Sequence, residues 1–216
     1  MGSILAWWDK APTDLAGYDP TRDADGFVWD GAAARKAVEF FPSYLVHAKG
    51  KLANQPYELN PWEKNVTATI FGWKREDGTR RYREVFVAVP RKNNKTTWCA
   101  GLALYLLFCD GEEGAEVYCA ACDREQATMV FDPAAKMVRK SVPLAKRGKV
   151  LDTTKRIVFQ ETGSFMRAIP ADAAGSHGFN AHAIIVDELH TQPSRELYDV
   201  LKTSTVSRRQ PLLVGI

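Results

Sequence analysis

The stretch Glu84–Phe108, EVFVAVPRKNNKTTWCAGLALYLLF, determines the fold expected for the whole chain. Its beginning, Glu84–Val89, is almost entirely apolar and rich in Val, which predicts a strand. Pro90–Lys95 is polar and contains Pro and two Asn, which predicts a loop. Thr96–Phe108 is rich in Ala and Leu and predicts a helix. A strand that leads through a short loop into an apolar helix is typical of an α/β fold.

The alternation of strands and helices continues on both sides of this stretch. Asn60 is expected to cap a short helix that begins with Pro61. A polar turn with Asp77-Gly78 at its tip separates two runs that we predict to pair as a hairpin. Further strands are predicted at Glu116–Ala120, Ile157–Phe159, Phe165–Ile169, Ala183–Val186 and Pro211–Ile216, and helices at Gly31–His47 (interrupted at Pro42), Glu125–Lys140 and Arg195–Thr203. Apolar strands between helices predict a mostly parallel sheet with helices on both faces.

Composition excludes several classes of protein. The chain has 216 residues, 45% of them hydrophobic and 25% charged, as in an ordinary globular protein. Its formal net charge is only +3, so overall charge gives no argument for nucleic acid. No apolar run reaches the roughly 18 residues of a membrane span, and the N-terminus MGSILAWWDK does not resemble a secretory signal.

The loop after the first strand is a candidate phosphate-binding loop. The standard pattern is Gly-x-x-x-x-Gly-Lys-Ser/Thr, and Lys95-Thr96 matches its end. Val89 and Asn94 stand where the two glycines belong. Asn tolerates the left-handed backbone region better than most residues, so Asn93-Asn94 is expected to replace the glycine turn.

The chemistry of such a loop assigns roles to its end. Lys95 would reach the β- and γ-phosphates of a nucleotide, and Thr96 would be a ligand of Mg²⁺. The dipole and free N–H groups of the following helix favour an anion at the same place. The alternative is a solvated basic loop, because Arg91, Lys92 and Lys95 are all stable in water.

A second motif lies at the end of a later apolar strand, in Ala183-Ile-Ile-Val-Asp-Glu-Leu-His190. A P-loop enzyme needs a second strand that delivers an Asp to the Mg²⁺ shell, and Asp187 is in that position. The adjacent Glu188 is a candidate general base for the attacking water. The alternative is a structural role, because Asp is also a preferred helix cap.

Four stretches, taken as a set, carry a family resemblance over about residues 50–216. They are Pro56-Tyr-Glu-Leu-Asn-Pro-Trp-Glu63, the segment 71–96, Val117-Tyr-Cys-Ala-Ala-Cys-Asp-Arg-Glu-Gln-Ala127 and Gly178-Phe-Asn-Ala-His-Ala-Ile-Ile-Val-Asp-Glu-Leu-His190. This set resembles the large terminase subunit of tailed bacteriophages, in its adenine motif, glycine-poor P-loop, following strand and Walker B region.

The resemblance implies a P-loop NTPase of the RecA/ASCE type that hydrolyses ATP with Mg²⁺. It implies catalytic roles for Glu188, Arg91 and Lys95, with Thr96 and Asp187 as the metal ligands. The implied nucleotide-binding residues are Pro90, Arg91, Lys92, Asn93, Asn94, Lys95, Thr96, Thr97, Trp62 and Glu63. The family's adenine motif commonly ends in Gln, whereas Glu63 stands here, and a carboxylate can only accept hydrogen bonds.

The resemblance also implies the organisation and partners of the protein. Residues 1–50 are expected to form a small N-terminal helical element, and residues 51–216 the ATPase domain, cut before the family's coupling motif and with the nuclease domain absent. Such a motor translocates viral double-stranded DNA into the procapsid as a homo-oligomeric ring on the portal protein, with a small terminase subunit selecting the DNA. We expect this activity in the cytoplasm of the host cell, without a membrane.

Two alternatives remain at this point. Asp187-Glu-Leu-His190 fits the DExH pattern of helicases, which need a second motor-like domain. A truncated remnant that binds nucleotide without turnover is the other. Phosphate release from Mg²⁺-ATP distinguishes the remnant from an ATPase.

Overall fold

The computed structural model describes residues 7–13, 15, 17–121, 124–170, 178–191 and 194–216. Within these residues the helices are α1 (Gly31–Tyr44), α2 (Pro61–Gly72), α3 (Lys95–Phe108), α4 (Arg124–Lys140), α5 (Val142–Arg147) and α6 (Glu196–Thr203). The strands are β1 (Phe27–Trp29), β2 (Trp73–Arg75), β3 (Glu84–Phe86), β4 (Glu116–Ala121), β5 (Gly148–Leu151), β6 (Arg156–Phe159), β7 (Ser164–Pro170), β8 (Ala181–Val186) and β9 (Leu212–Gly215).

A seven-stranded sheet with the order β3-β9-β8-β4-β7-β6-β5 organises the molecule. From β3 to β7 every neighbouring pair is parallel, and β6 is antiparallel to both of its neighbours. The carboxyl ends of β3 and β8 therefore lie at the same edge of the sheet, separated by β9 alone. The predicted α/β class with a mostly parallel sheet is confirmed.

Helices cover both faces of the sheet, as predicted. On one face the large hydrophobic core joins α1, α2, α3 and α4 to the strands. On the other face Leu197 and Leu201 of α6 pack against Ile184 and Leu213. Helix α3 is buried from Trp98 to Phe108 on all sides, because its sequence has no polar face to turn towards water.

Helix α1 packs into the same core as α3. The ring of Phe41 lies against Gly101, where a Cβ atom would come within 2.2 Å of it. The prediction that α1 is interrupted at Pro42 is wrong, because the helix continues through Pro42 to Tyr44. Proline removes one helical hydrogen bond and crowds the carbonyl four residues earlier, and the burial of Phe40 and Phe41 holds the last turn despite this cost.

The predicted hairpin around Asp77-Gly78 forms over a short stretch, in which the Arg75 amide donates to the Thr79 carbonyl at 2.8 Å and the Arg81 amide donates to the Trp73 carbonyl at 3.0 Å. The Thr79 amide and hydroxyl bind Asp77 Oδ1, and Lys74 and Arg80 form one isolated bridge. Beyond this point the two runs separate, since β2 pairs with β1 and β3 pairs with β9. The predicted hairpin is therefore confirmed only next to its turn, and it does not extend to β3, which pairs with a strand of the main sheet.

Among the residues that the structure describes, no helix is both long and apolar enough to cross a membrane.

A buried ionic cluster ties four segments together at the amino edge of the sheet. The Arg80 guanidinium donates to both carboxylate oxygens of Asp110 at 3.0 Å and to the Gln210 carbonyl at 2.6 Å. His182 Nε2 lies 2.7 Å from Asp110 Oδ2. Burial by itself raises the pKa of Asp110, but Arg80 and His182 outweigh it and hold the pKa below its ordinary value.

This cluster predicts a stability phenotype for Asp110→Asn. The substitution leaves the fully buried Arg80 charge without its counter-ion, and we expect the free energy of unfolding to fall by about 3–5 kcal/mol in urea denaturation. Because the folded pKa is depressed, the contribution is complete above the unfolded pKa of about 3.9 and is lost as the pH falls further. The difference in the free energy of unfolding between parent and variant should therefore become smaller below about pH 4.

The control is Glu39→Gln, which breaks the exposed Arg35–Glu39 pair and should cost at most about 1 kcal/mol. A loss of stability in Asp110→Asn no larger than that of the control would show that the cluster is not a structural anchor.

Candidate functional site

The loop between β3 and α3 makes its turn without glycine. Asn94 takes the left-handed conformation, with φ 61° and ψ 17°, in the second glycine position of the standard pattern. Of the expected pair Asn93-Asn94, only Asn94 does so, and the second left-handed residue is Lys92, with φ 68°. Asn93 instead closes the loop through its side chain, since its Nδ2 donates to the Pro90 carbonyl at 2.9 Å.

The N-terminus of α3 faces this loop. Asn94 is its N-cap, and the Asn94 side chain makes no capping hydrogen bond. The N–H groups of the first turn, at Lys95, Thr96 and Thr97, are therefore left to other acceptors, and a phosphate is the acceptor that a helix N-terminus suits best. Pro90, Arg91 and Lys92 are exposed on the outer side of the loop.

The two candidate metal ligands are in contact. Asp187 follows the last residue of β8, and its Oδ2 accepts a hydrogen bond from Thr96 Oγ1 at 2.9 Å, across 91 residues of sequence. Asp187 is buried, which raises the pKa of its carboxyl, while the Thr96 hydroxyl acts in the opposite direction. Oxygen donors of this kind suit Mg²⁺, and a cation would supply the charge that the buried carboxylate favours.

The candidate base is paired with the candidate phosphate-binding lysine. Lys95 Nζ lies 2.8 Å from Glu188 Oε1, with the two side chains only 16% and 32% exposed. The hydrogen bond from Lys95 lowers the pKa of Glu188, and the charge of Arg91 acts in the same direction. Glu188 thus remains a carboxylate, the form that can take a proton from water.

The backbone of Glu188 is strained. Its φ is +50°, a left-handed conformation that is uncommon for a residue other than glycine. Strain of this kind persists where the surrounding structure enforces it, and it is concentrated at functional sites. The turn directs the Glu188 side chain towards Lys95 and away from the continuation of β8.

A cavity of about 700 Å³ opens beside the start of the phosphate loop. Trp62, Val66 and Ile70 of α2 form one wall, and the segment 84–89 forms the opposite wall. Trp62 was predicted to bind the nucleotide, and it lies in this wall.

Glu63 points into the protein, away from the cavity. Its Oε2 accepts from the Asn60 amide at 3.0 Å, while Asn60 Oδ1 accepts from the Glu63 amide at 3.1 Å. This reciprocal capping box confirms the predicted start of α2 at Asn60-Pro61. Burial raises the pKa of Glu63.

Tyr57 belongs to the site although the sequence did not single it out. Its hydroxyl donates to Glu63 Oε1 at 3.1 Å and accepts from Asn94 Nδ2 at 2.8 Å. The signal available in the sequence was its place in the same motif as Trp62 and Glu63. Its hydrogen bond to a loop 37 residues later was not predictable from that motif.

Comparisons with known proteins agree on one family. Residues 61–216 match the family described as "Terminase large subunit, ATPase domain". The large terminase subunit of Enterobacteria phage HK97 is 25% identical over 184 residues, which are 84% of this chain and 36% of that protein. This chain therefore spans about a third of the length of that relative.

Solved structures show the same fold. The crystal structure of the HK97 large terminase matches with a TM-score of 0.73 and 24% identity, over 85% of this chain and 37% of that chain. The ATPase domain of the Thermus phage P74-26 large terminase matches with a TM-score of 0.51 and 18% identity, over 62% of this chain and 58% of that chain.

The family match includes both the phosphate loop and the acidic end of β8. It covers most of the chain and begins at the first residue of α2. This chain belongs to the family of terminase large subunit ATPase domains.

Proposed function

We propose that this chain is the ATP-hydrolysing motor domain of a terminase large subunit and couples hydrolysis to translocation of viral double-stranded DNA into the procapsid. One observation carries the proposal. The end of the phosphate loop meets the end of β8 through two contacts, Thr96–Asp187 at 2.9 Å and Lys95–Glu188 at 2.8 Å. A P-loop hydrolase needs these groups together at one phosphate.

The residues divide the chemistry among them. Lys95 and the α3 N-terminus bind the β- and γ-phosphates, and Thr96 and Asp187 hold Mg²⁺, which neutralises phosphate charge when bound. Glu188 accepts a proton from the water whose oxygen bonds to the γ-phosphorus. The bond from that phosphorus to the bridging oxygen breaks, and ADP leaves.

The nucleotide-free arrangement keeps the catalytic charges paired. Lys95 neutralises Glu188 until a triphosphate competes for the ammonium group. Nucleotide binding would then release the carboxylate beside the water that it must deprotonate. The 700 Å³ cavity next to the loop is large enough for a base, with Trp62 as an aromatic wall.

The partners belong to the same proposal. We propose double-stranded DNA as the transported substrate, and the portal protein and a small terminase subunit as partners of a homo-oligomeric ring in the host cytoplasm. The support is the family to which residues 61–216 belong. The helicase alternative has no support among the relatives reported above, and phosphate release by the parent protein tests whether the chain is a remnant without turnover.

Lys95→Ala should abolish nucleotide binding and hydrolysis, because it removes the ammonium group at the α3 N-terminus that is proposed to bind the β- and γ-phosphates. Binding is measured by calorimetry with Mg²⁺-ATP, and hydrolysis by phosphate release with and without DNA. Lys136→Ala, at an exposed position of α4, is the matched control and should behave like the parent. Parent-like binding and turnover by Lys95→Ala would remove the phosphate loop from this function.

Glu188→Gln should bind Mg²⁺-ATP but lose turnover, because an amide cannot accept the proton. Loss of a general base typically slows chemistry by about 10²–10⁴-fold. Affinity and single-turnover rate are measured on the same sample, once with Mg²⁺ and once without it. An unchanged single-turnover rate would show that Glu188 is not the base.

Arg91 is expected to matter most after assembly, either in its own site or in the site of a neighbouring subunit. An arginine that reaches the transferring phosphate contributes about 10³–10⁵ in rate, and Arg91 is exposed at the rim of its own site. Arg91→Ala subunits, intact in Glu188, are mixed with Glu188→Gln subunits, intact in Arg91, under conditions that force assembly. If Arg91 acts on the neighbouring subunit, the mixture regains ATP hydrolysis at mixed interfaces. A mixture that never exceeds the sum of its inactive parts would mean that Arg91 acts within its own subunit or not at all.

A further inference from the structure

Two buried side chains, Tyr57 and Glu63, contact the phosphate loop from the protein interior. Asn94 lies at the surface, yet its Nδ2 donates to the Tyr57 hydroxyl at 2.8 Å and lies 3.4 Å from Glu63 Oε1. Tyr57 and Glu63 are 0% and 1% exposed. The Tyr57 hydroxyl donates its single proton to Glu63 and accepts a hydrogen bond from Asn94 with a lone pair. The three side chains are therefore joined by consecutive hydrogen bonds.

Tyr57 and Glu63 together form a clamp on the Asn94 side chain. The backbone conformation of Asn94 explains why this clamp matters. Asn94 is left-handed, a conformation that costs most residues other than glycine roughly 1–2 kcal/mol and that Asn, although more tolerant than most, adopts less freely than glycine. The next two residues are the proposed phosphate-binding lysine and metal-binding threonine. A return of Asn94 to the right-handed region would redirect both, so a loop without glycine depends on other contacts to keep this turn.

The clamp is itself rigid. The capping box with Asn60 fixes Glu63 in the first turn of α2. The Tyr57 ring packs edge-on against Phe41, with centroids 5.5 Å apart, and lies 4.7 Å from the His47 ring. Neither anchor can follow Asn94 if the loop moves, so the hydrogen bonds oppose movement of the loop.

We propose that Tyr57 and Glu63 are positioning residues that hold Asn94 in its left-handed conformation and so preorganise the phosphate-binding loop for nucleotide. This inference rests on the proposed ATPase function. It gives Glu63 a role in the shape of the loop, distinct from contact with the base. The interaction takes the place of the conformational freedom that a glycine would provide.

Tyr57→Phe tests the clamp, since it removes the hydroxyl and keeps the ring. We expect nucleotide affinity to weaken about 5- to 10-fold, as for loss of one ordinary hydrogen bond, with little change in the saturated rate. Amide hydrogen exchange at residues 94–97 should accelerate in the nucleotide-free protein. Tyr105→Phe is the matched control, because Tyr105 is buried in the same core against Phe40 and Phe71 and should show neither effect.

Asn94→Gly separates positioning from general stability. Glycine adopts positive φ without a clamp, so Tyr57→Phe should have no further effect on affinity in the Asn94→Gly background. An equal loss of affinity in both backgrounds would overturn the proposal, as would unchanged exchange at residues 94–97 in Tyr57→Phe. If the parent protein fails to bind ATP, the proposed function fails, while the exchange comparison of Tyr57→Phe with Tyr105→Phe still decides whether the clamp holds the loop.

Discussion

Burial of α3 is the constraint on which the rest of the structure depends. The helix is apolar on every side, so it is stable only between the sheet and a second layer of helices, which α1, α2 and α4 supply. Helix α3 connects β3 to β4 of the same sheet, and this connection sets its direction. The N-terminus of α3 consequently lies at the carboxyl edge of the sheet, where β8 also ends. The Thr96–Asp187 and Lys95–Glu188 contacts form because the start of α3 and the end of β8 lie at the same edge of the sheet.

The charges at this edge form two layers. Asp187 is buried and hydrogen-bonded to Thr96, while Glu188 is partly exposed and paired with Lys95. Burial raises the pKa of Asp187, whereas the Lys95 hydrogen bond lowers that of Glu188. Adjacent carboxylates thus have different electrostatic environments, as expected if one holds a cation and the other receives a proton. The left-handed backbone of Glu188 makes this separation possible, because it turns the second carboxylate away from the strand.

The conformation of the candidate phosphate loop, which lacks glycine, is explained by its surroundings. Asn94 and Lys92 supply the two left-handed turns, and Asn93 binds the Pro90 carbonyl. The hydrophobic core also helps to hold the loop, since the Tyr57 ring packs edge-on against Phe41 of α1. The N-terminal helix is therefore linked through one aromatic contact and one hydroxyl to the residue that precedes Lys95.

The sequence by itself determined the α/β class, the mostly parallel sheet, the capped start of α2 and the two motifs that carry the proposed chemistry. These depend on local patterns, such as apolar periodicity, a capping residue and a polar loop between a strand and a helix. Helix α5 and strand β5 were missed because Val142–Leu151 reads as a basic stretch whose order comes from packing. Tertiary structure alone decided that β3 pairs with β9, that Lys95 meets Glu188 and that Tyr57 binds Asn94. Such contacts join residues far apart in sequence, and their partners are chosen by the burial and geometry of the whole sheet, which no local pattern contains.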